Sequence, residues 1–301
     1  MKKIKEHFRR MQNVAKMHGL KAVFAIYLTK IPIIKDIVKL LFRPLLVKTK
    51  ILGNVMYLDA GDLGLHRKLL LKGIREPEHT NQIMENVRPG MKGIEIGANV
   101  GYFALLAAKQ VGQDGFIYCI EPEPRNLGLL LKNIKANGFD DRIKVFQYLV
   151  GNHNGREKLY LSEFANVHSL SKNHPKSSKR FIEVPMITLD SFLKENGLKP
   201  EDIDFIRMDI EGYEVIAFQG MQELFKSARP LKIFMEFHPS YYPEWGWTFE
   251  KLLRYLDSFG FKVKEIAKKS LILKEPSIEE ILAMQKNTQD DGSQAFLEKV
   301  K

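Results

Sequence analysis

The chain has 301 residues, 45% of them hydrophobic and 28% charged, a composition that excludes wholesale disorder, collagen and coiled coil. Its single cysteine, Cys119, excludes an internal disulfide and a Cys-rich zinc site and is compatible with a cytosolic setting. The net charge of +11 sits in one place: residues 1–50 hold 13 Lys and Arg against Glu6 and Asp36, whereas the other 251 residues hold 34 cations and 34 anions. A neutral body with a basic arm points to an arm that touches an anionic surface rather than to a polyanionic substrate in the active site.

Between residues 20 and 47 the arm alternates apolar clusters with Lys30, Lys35, Lys39 and Arg43, and the last three cations share one helical face. The pattern predicts two short amphipathic helices, Pro32 opening the second and Pro44 ending it. Such helices either lie in the plane of an anionic membrane, here its inner face, or pack their apolar side on the body. The longest uncharged stretch in this N-terminal region, residues 22–29, is far short of the roughly 20 residues that a spanning helix needs. No small-residue cleavage site follows it, so neither a transmembrane segment nor a signal peptide is expected. Residues 51–73 predict a short hairpin with a Gly-Asn turn and then a helical piece.

The body alternates strand-like runs (92–96, 116–120, 143–150, 204–208, 231–237, 261–266 and a short one at 270–273) with helical stretches near 102–110, 126–137 and 189–196. That is an α/β pattern with crossover helices between parallel strands. Residues 151–185, rich in Asn, His, Ser and Lys, interrupt it and read as a lid or substrate loop. The segment from Asn287 reads as a frayed tail. The expected division is a basic extension and hairpin over 1–73, a catalytic domain over 74–275, and a C-terminal helix and tail over 276–301.

The strongest chemical signal is GIEIGANVGYFALLAA at 93–108, an apolar strand followed by Gly97 and Gly101, four apart, and an apolar helix. Glycines let a ligand approach the backbone at a strand tip, and the helix start offers free N–H groups. The next strand, FIYCIEPEP, ends in Glu121, 20 residues after Gly101, where a carboxylate can accept both hydroxyls of a ribose. The spacing is GxxxG rather than GxGxxG, which favours S-adenosylmethionine, a cofactor without a pyrophosphate, over NAD.

These segments resemble the FkbM family of S-adenosylmethionine-dependent methyltransferases. The resemblance covers about residues 74–240 and rests on IREPE (74–78), GIEIGANVGYFALLAAKQVG (93–112), IEPEPRNLGLLLKNIKANG (120–138), Thr188-Leu189-Asp190, IDFIRMDIEGYE (203–214) and ARPLKIFMEFH (228–238). It implies a Rossmann-like seven-stranded methyltransferase sheet with helices on both faces. It also implies Glu95, Gly97, Asn99 and Gly101 around the methionine end of the cofactor, and Glu121 on the ribose. Glu95 stands where the family usually has Asp. The N-terminal 50 residues have no counterpart in the pattern.

Asp209, at the tip of the fourth strand, is a candidate base for a hydroxyl acceptor, and His238, just past the fifth, is another; Glu236 lies between them and can orient a partner. Glu211 and Glu214 either share this chemistry or are first-turn acids that complement a helix dipole, the second reading being favoured for Glu214. Asp209, Glu236 and His238 are also of the type that holds a hard divalent cation, but their spacing is not diagnostic and a metal is not favoured. His168, His174 and the segment 166–169 either contact the acceptor or form a solvated loop. Trp245 and Trp247 either stack on a sugar face or plug a loop. The reading as a whole is an O-methyltransferase acting on a hydroxyl of a sugar, glycolipid or other polyhydroxylated metabolite. The alternatives are an RNA methyltransferase guided by the basic arm, less favoured because the body is neutral, and a non-catalytic membrane-binding module.

Overall fold

The computed structural model describes residues 46–62, 64–162, 167–171, 177–227, 229–286 and 292–300, together with Gln12 and Lys16. The arm helices expected before residue 46, the cations Lys30, Lys35, Lys39 and Arg43, and the residues Asn166 and His174 lie outside the described residues.

Strands β1 (Leu46–Ile51) and β2 (Asn54–Asp59) pair as an antiparallel hairpin. Its two-residue turn is Leu52-Gly53, both at positive φ as a tight hairpin requires, so the turn precedes the expected Gly-Asn pair by one residue. Leu46 and Val47, expected at the end of an arm helix, belong to β1. After α1 (Leu65–Lys72) and α2 (Pro77–Asn86), strand and helix alternate through β3 (Lys92–Ile96), α3 (Tyr102–Val111), β4 (Phe116–Ile120), α4 (Pro124–Asn137) and β5 (Ile143–Phe146). The chain then runs through β6 (Leu149–Val150), β7 (Gly155–Ser162), β8 (Ser177–Ile187), α5 (Leu189–Glu195) and β9 (Phe205–Met208). It continues with α6 (Glu214–Ala217), α7 (Gln222–Lys226), β10 (Lys232–Phe237) and α8 (Phe249–Ser258). The last elements are β11 (Phe261–Lys268), β12 (Leu271–Lys274), α9 (Ile278–Lys286) and β13 (Ser293–Lys299).

The main sheet has the order β12-β11-β13-β10-β9-β3-β4-β5. Seven of these strands answer to the expected runs, the short edge strand β12 among them, and β13 is an eighth that was not expected. Strands β3, β4, β5, β9 and β10 are parallel, while β13 runs antiparallel between β10 and β11. The tail expected to fray is therefore an interior strand: Ala295 and Leu297 are buried, because β13 supplies the hydrogen bonds that β10 and β11 both need. The chain moves from β3 outward through β4 to β5, then returns to lay β9 on the other side of β3. This reversal opens a crevice at the carboxyl tips of β3 and β9, where open α/β sheets hold ligands.

Each face of the sheet has its own apolar core. One packs β1, β2, α1 and α3 against Cys119, Phe205 and Phe234; the other packs α5, α6, α7 and α8 against Ile206, Met208 and Met235. The hairpin thus shares the body's core, and no boundary at residue 74 separates it. Asn133 and Asn137 of α4 reinforce this by accepting from the backbone N–H of Tyr57 and Val55 at 2.6 and 2.8 Å. The Thr188-Leu189-Asp190 element has a local reason as well. Thr188 caps α5 by accepting from Ser191 N at 3.1 Å, and Asp190 accepts from Glu223 N and Leu224 N at the start of α7.

Among its described residues, the insertion at 151–185 is mostly strand. β7 and β8 pair antiparallel, and β8 pairs with β6 to make a separate three-stranded sheet. Leu159, Tyr160 and Phe181 supply alternating side chains that a strand can use on its two faces, a period masked in the sequence by the polar residues around them.

Candidate active site

The crevice at the tips of β3, β4 and β9 has a volume of about 590 Å³ counting its open mouth. Gly97, Asn99, Glu121 and Asn126 line one side, and Asp209, Ile210 and Glu211 line the other. Leu149 and Val150 of β6 and Leu159, His168 and Leu170 of the β7–β8 unit add an apolar wall, so the insertion does face the ligand space.

Gly97 has φ +78°, and a Cβ there would lie 2.4 Å from the Asp209 carbonyl oxygen. The β3 turn therefore crosses the β9 tip at backbone contact, and only glycine fits. Asn99, also at positive φ, donates its backbone N–H to Glu121 Oε2 at 2.7 Å, and Glu123 N donates to Oε1 at 3.0 Å. The Asn126 side chain also hydrogen-bonds this carboxylate. Burial pushes the Glu121 carboxyl up to about 7 despite these bonds.

The strand period separates Glu95 from the ribose side. The β3–β9 register sets Glu95 opposite Arg207, on the sheet face covered by α3, and Arg207 Nη1 donates to Glu95 Oε1 at 3.1 Å. Glu95 is buried and is not among the residues that line the crevice. Arg207 stacks over the Phe103 ring at 4.1 Å and donates from Nη2 to Asp209 Oδ2 at 3.2 Å. Arg75 Nη2 reaches the same oxygen at 3.0 Å, and Arg75 is also ion-paired to Glu76. Burial raises the Asp209 carboxyl, but Arg207 and Arg75 outweigh it and hold the group at about 2. So low a value makes Asp209 a weak proton acceptor.

His238, in the turn after β10, is clamped. Its ring Nδ1 lies 3.1 Å from Glu214 Oε1, which also accepts from Gly212 N at 3.1 Å, and the His238 backbone N–H donates to Tyr242 Oη at 3.0 Å. Burial disfavours the imidazolium, but Glu214, Glu236 and Glu211 override it and hold His238 well above its ordinary value. Glu214 is fully buried, so it is a partner of His238 and not simply a first-turn acid of α6. Glu211, at φ +53°, places its carboxylate 3.9 Å from His238 Nε2; burial, with Asp209 nearby, pushes it up to about 7 although His238 opposes the rise. Glu236 goes up to about 8 through burial and the charges of Glu76 and Asp209. The structure thus brings Asp209, Glu236 and His238 together, with ligand atoms within 4.8 Å of one another.

His168 lines the crevice and accepts from Ser162 N at Nδ1, 3.0 Å away, while Ser169 is held in a bridge to Tyr160. Trp245 packs edge-on against Tyr213 at 4.9 Å and Trp247 against Tyr255 at 5.4 Å, and neither lines the crevice, which favours the plug. Arg207, Arg75, Glu211 and Glu214 were missed as functional residues. The signal for Arg207 was available: a lone cation in the apolar run IDFIRM needs buried anions.

The residues at the tips of β3 and β4 fit the S-adenosylmethionine implied by the sequence. A turn that a Cβ would fill, a left-handed Asn99 and a buried acid after β4 form a cradle for a cationic nucleoside.

One curated relative, a protein-L-isoaspartate O-methyltransferase of Methanopyrus kandleri, is 38% identical over 58 residues, 19% of this chain. The match spans about a quarter, 26%, of that relative's length. Among solved structures, TYW2 of Pyrococcus horikoshii in complex with MeSAdo is similar at a TM-score of 0.46 and 11% identity, over 90% of this chain and 82% of that one. A SAM-dependent methyltransferase of Aquifex aeolicus is similar at a TM-score of 0.41 and 13% identity, over 75% and 90%. The family described as "Methyltransferase FkbM domain" matches residues 95–263, which run from Glu95 in β3 to Val263 in β11 and take in the whole crevice. On that match the chain belongs to the FkbM family of S-adenosylmethionine-dependent methyltransferases.

Proposed function

We propose that the protein methylates a hydroxyl oxygen of a sugar, glycolipid or other polyhydroxylated metabolite, and that the basic arm holds it at the inner face of an anionic membrane. The observation that supports the chemistry is the group of proton-binding side chains at the tips of β9 and β10, beside the glycine turn: Asp209, Glu211, Glu236 and His238. When bound, the cofactor supplies a methyl group on a sulfonium sulfur.

Alkylating a hydroxyl requires removing its proton, and the best proton acceptor is one whose pKa lies near working pH. Glu211 meets this condition at about 7 and lines the crevice. Its positive φ is a strained arrangement of the sort that functional sites retain. In this reading Glu211 takes the acceptor proton, and Asp209, tied down by Arg75 and Arg207, supplies fixed negative charge. His238 and Glu236 surround the reacting hydroxyl, with Glu214 positioning the imidazole. Glu121, held by the backbone N–H groups of Asn99 and Glu123, takes the nucleoside end.

The test is the pH dependence of turnover. Turnover by the wild type rises as Glu211 ionises and levels off above about pH 7. In Glu211→Gln it falls about 100-fold and the rise disappears, while affinity for S-adenosylmethionine holds. An active Glu211→Gln with an unchanged profile contradicts the assignment and returns the role of base to His238 or Asp209.

A further inference from the structure

The acids around His238 outnumber the cations. Glu76, Asp209, Glu211, Glu214 and Glu236 face Arg75, Arg207 and His238 in one buried group. Asp209 is the telling member. Its side chain is only 9% exposed, both arginines engage Oδ2, and Oδ1 is buried with no hydrogen-bond partner. A carboxylate oxygen sealed from water with nothing donating to it calls for a cation.

We propose that Asp209, Glu236 and His238 bind one divalent cation, Mn²⁺ or Mg²⁺, through one atom each. The inference deepens the proposed function, on which its catalytic meaning rests, but metal binding itself does not depend on that reading. The three ligand atoms lie within 4.8 Å of one another. In an octahedral shell with bonds of about 2.1 Å, neighbouring ligand atoms lie about 3.0 Å apart, so the side chains draw together by at most about 1.8 Å to close the site. Each ligand is also held from outside. Glu214 Oε1 takes His238 Nδ1 at 3.1 Å, leaving Nε2 as the ligand nitrogen. Arg75 and Arg207 hold Asp209 through Oδ2, and Gln294 Nε2 donates to Glu236 Oε1 at 3.3 Å. A carboxylate on the far nitrogen of a histidine, and hydrogen bonds to each ligating carboxylate, are the usual outer partners of metal ligands. Gly292 has the same logic at the edge, since a Cβ there would lie 2.5 Å from Glu236 Oε1. The start of the interior strand β13 and the glycine just before it thereby bring Gln294 and Gly292 onto the site. Two carboxylates and one imidazole suit a hard or borderline ion rather than a thiophilic one. A cation there lowers the pKa of a hydroxyl bound to it, and the released proton passes to Glu211.

The experiment uses the full chain, stripped with a chelator, and Mn²⁺ as the probe, read by electron paramagnetic resonance and calorimetry. The expected result is one Mn²⁺ per chain, displaced by excess Mg²⁺, with electron spin-echo modulation from a directly bound imidazole nitrogen. Glu236→Gln and Asp209→Asn, each checked for folding by circular dichroism, weaken Mn²⁺ binding at least 10-fold. Absence of Mn²⁺ binding at millimolar concentration, absence of the nitrogen modulation, or unchanged affinity in folded Glu236→Gln overturns the proposal. S-adenosylmethionine titrated into the same samples separates the two readings. Chains that bind Mn²⁺ but not the cofactor retain the metal site and contradict the proposed function, and the opposite pattern does the reverse.

Discussion

Glu214 and Asp209 show how one carboxylate's partners decide its use. Glu214 sits one residue into α6, where an acid ordinarily complements a helix dipole, yet it is fully buried and gives its Oε1 to His238. Glu214→Gln keeps the shape but removes the charge that holds the imidazole, so it should lower turnover about 10- to 100-fold with cofactor affinity intact. A fall in affinity for the cofactor together with full turnover at saturation would contradict this positioning role. Asp209 is anchored by two guanidinium groups that its loss would leave with Glu76 and Glu95 alone. Asp209→Asn should therefore destabilise the fold by on the order of 3 kcal/mol as well as impair turnover, which urea denaturation measures. At the ribose end, Glu121→Ala should weaken S-adenosylmethionine binding by about 1 to 3 kcal/mol in calorimetry. Unchanged affinity in a folded mutant would remove the ribose assignment.

At the scale of elements, the strand β13 is where local pattern and tertiary structure part. The run SQAFLEK at the chain end is short, polar at both ends and preceded by Gly292, and nothing local distinguishes it from a loose tail. Only the open ladders of β10 and β11 make it a strand, and those are set by residues more than twenty positions away. By contrast β3, β4 and their following helices were legible almost to the residue, because short runs rich in isoleucine and aromatic residues mark these strands and a glycine-rich turn leads from β3 into its helix. The same contrast runs through the site. Gly97, Gly101 and Glu121 announce themselves by spacing, whereas the pairing of Glu214 with His238 depends on β9 and β10 lying side by side, and a one-chain pattern does not contain that. Deleting residues 292–301 should therefore unfold the sheet edge and abolish cooperative thermal melting near the intact protein's Tm. A truncated chain that melts like the full one would contradict an interior role for β13.

The whole molecule joins a charge-balanced body to an arm that holds its entire net charge, and among the described residues no helix is long and apolar enough to cross a membrane. Truncation at residue 45 removes the arm and leaves β1 intact, which truncation at 50 would not. The full chain should bind anionic vesicles and lose that binding with salt, each cation near the surface contributing about 1 kcal/mol, and the truncated chain should not bind. Equal binding by both forms, or a truncated chain that unfolds, would contradict the arm's proposed role. The site also leaves a signature on stability. Glu95, Glu121, Glu211 and Glu236 are all raised in the folded protein, to about 7, 7, 7 and 8, because burial disfavours their charges. The native state thus holds more protons than the unfolded chain between about pH 4.5 and 8, so their contribution to stability is present below the ordinary carboxyl range and is lost as pH rises. Asp209, depressed to about 2, acts oppositely only in stronger acid. His66, His79 and His168, lowered by burial, act oppositely up to about pH 6.5, so the Tm of the ligand-free protein should fall from about pH 6.5 to pH 8, and a rise across that interval would contradict the raised carboxyl values.

The central claim, a methyl transferred to a hydroxyl oxygen, is tested most directly by incubating the protein with S-adenosylmethionine labelled in its methyl group and a panel of glycans, glycolipids, polyhydroxylated metabolites and RNA. Mass spectrometry and NMR then locate the label. The account predicts label in a methyl ether on a glycan, glycolipid or polyhydroxylated metabolite, and loss of that label in Glu211→Gln. Label found only on RNA, or on a nitrogen or carbon of any acceptor, would contradict it.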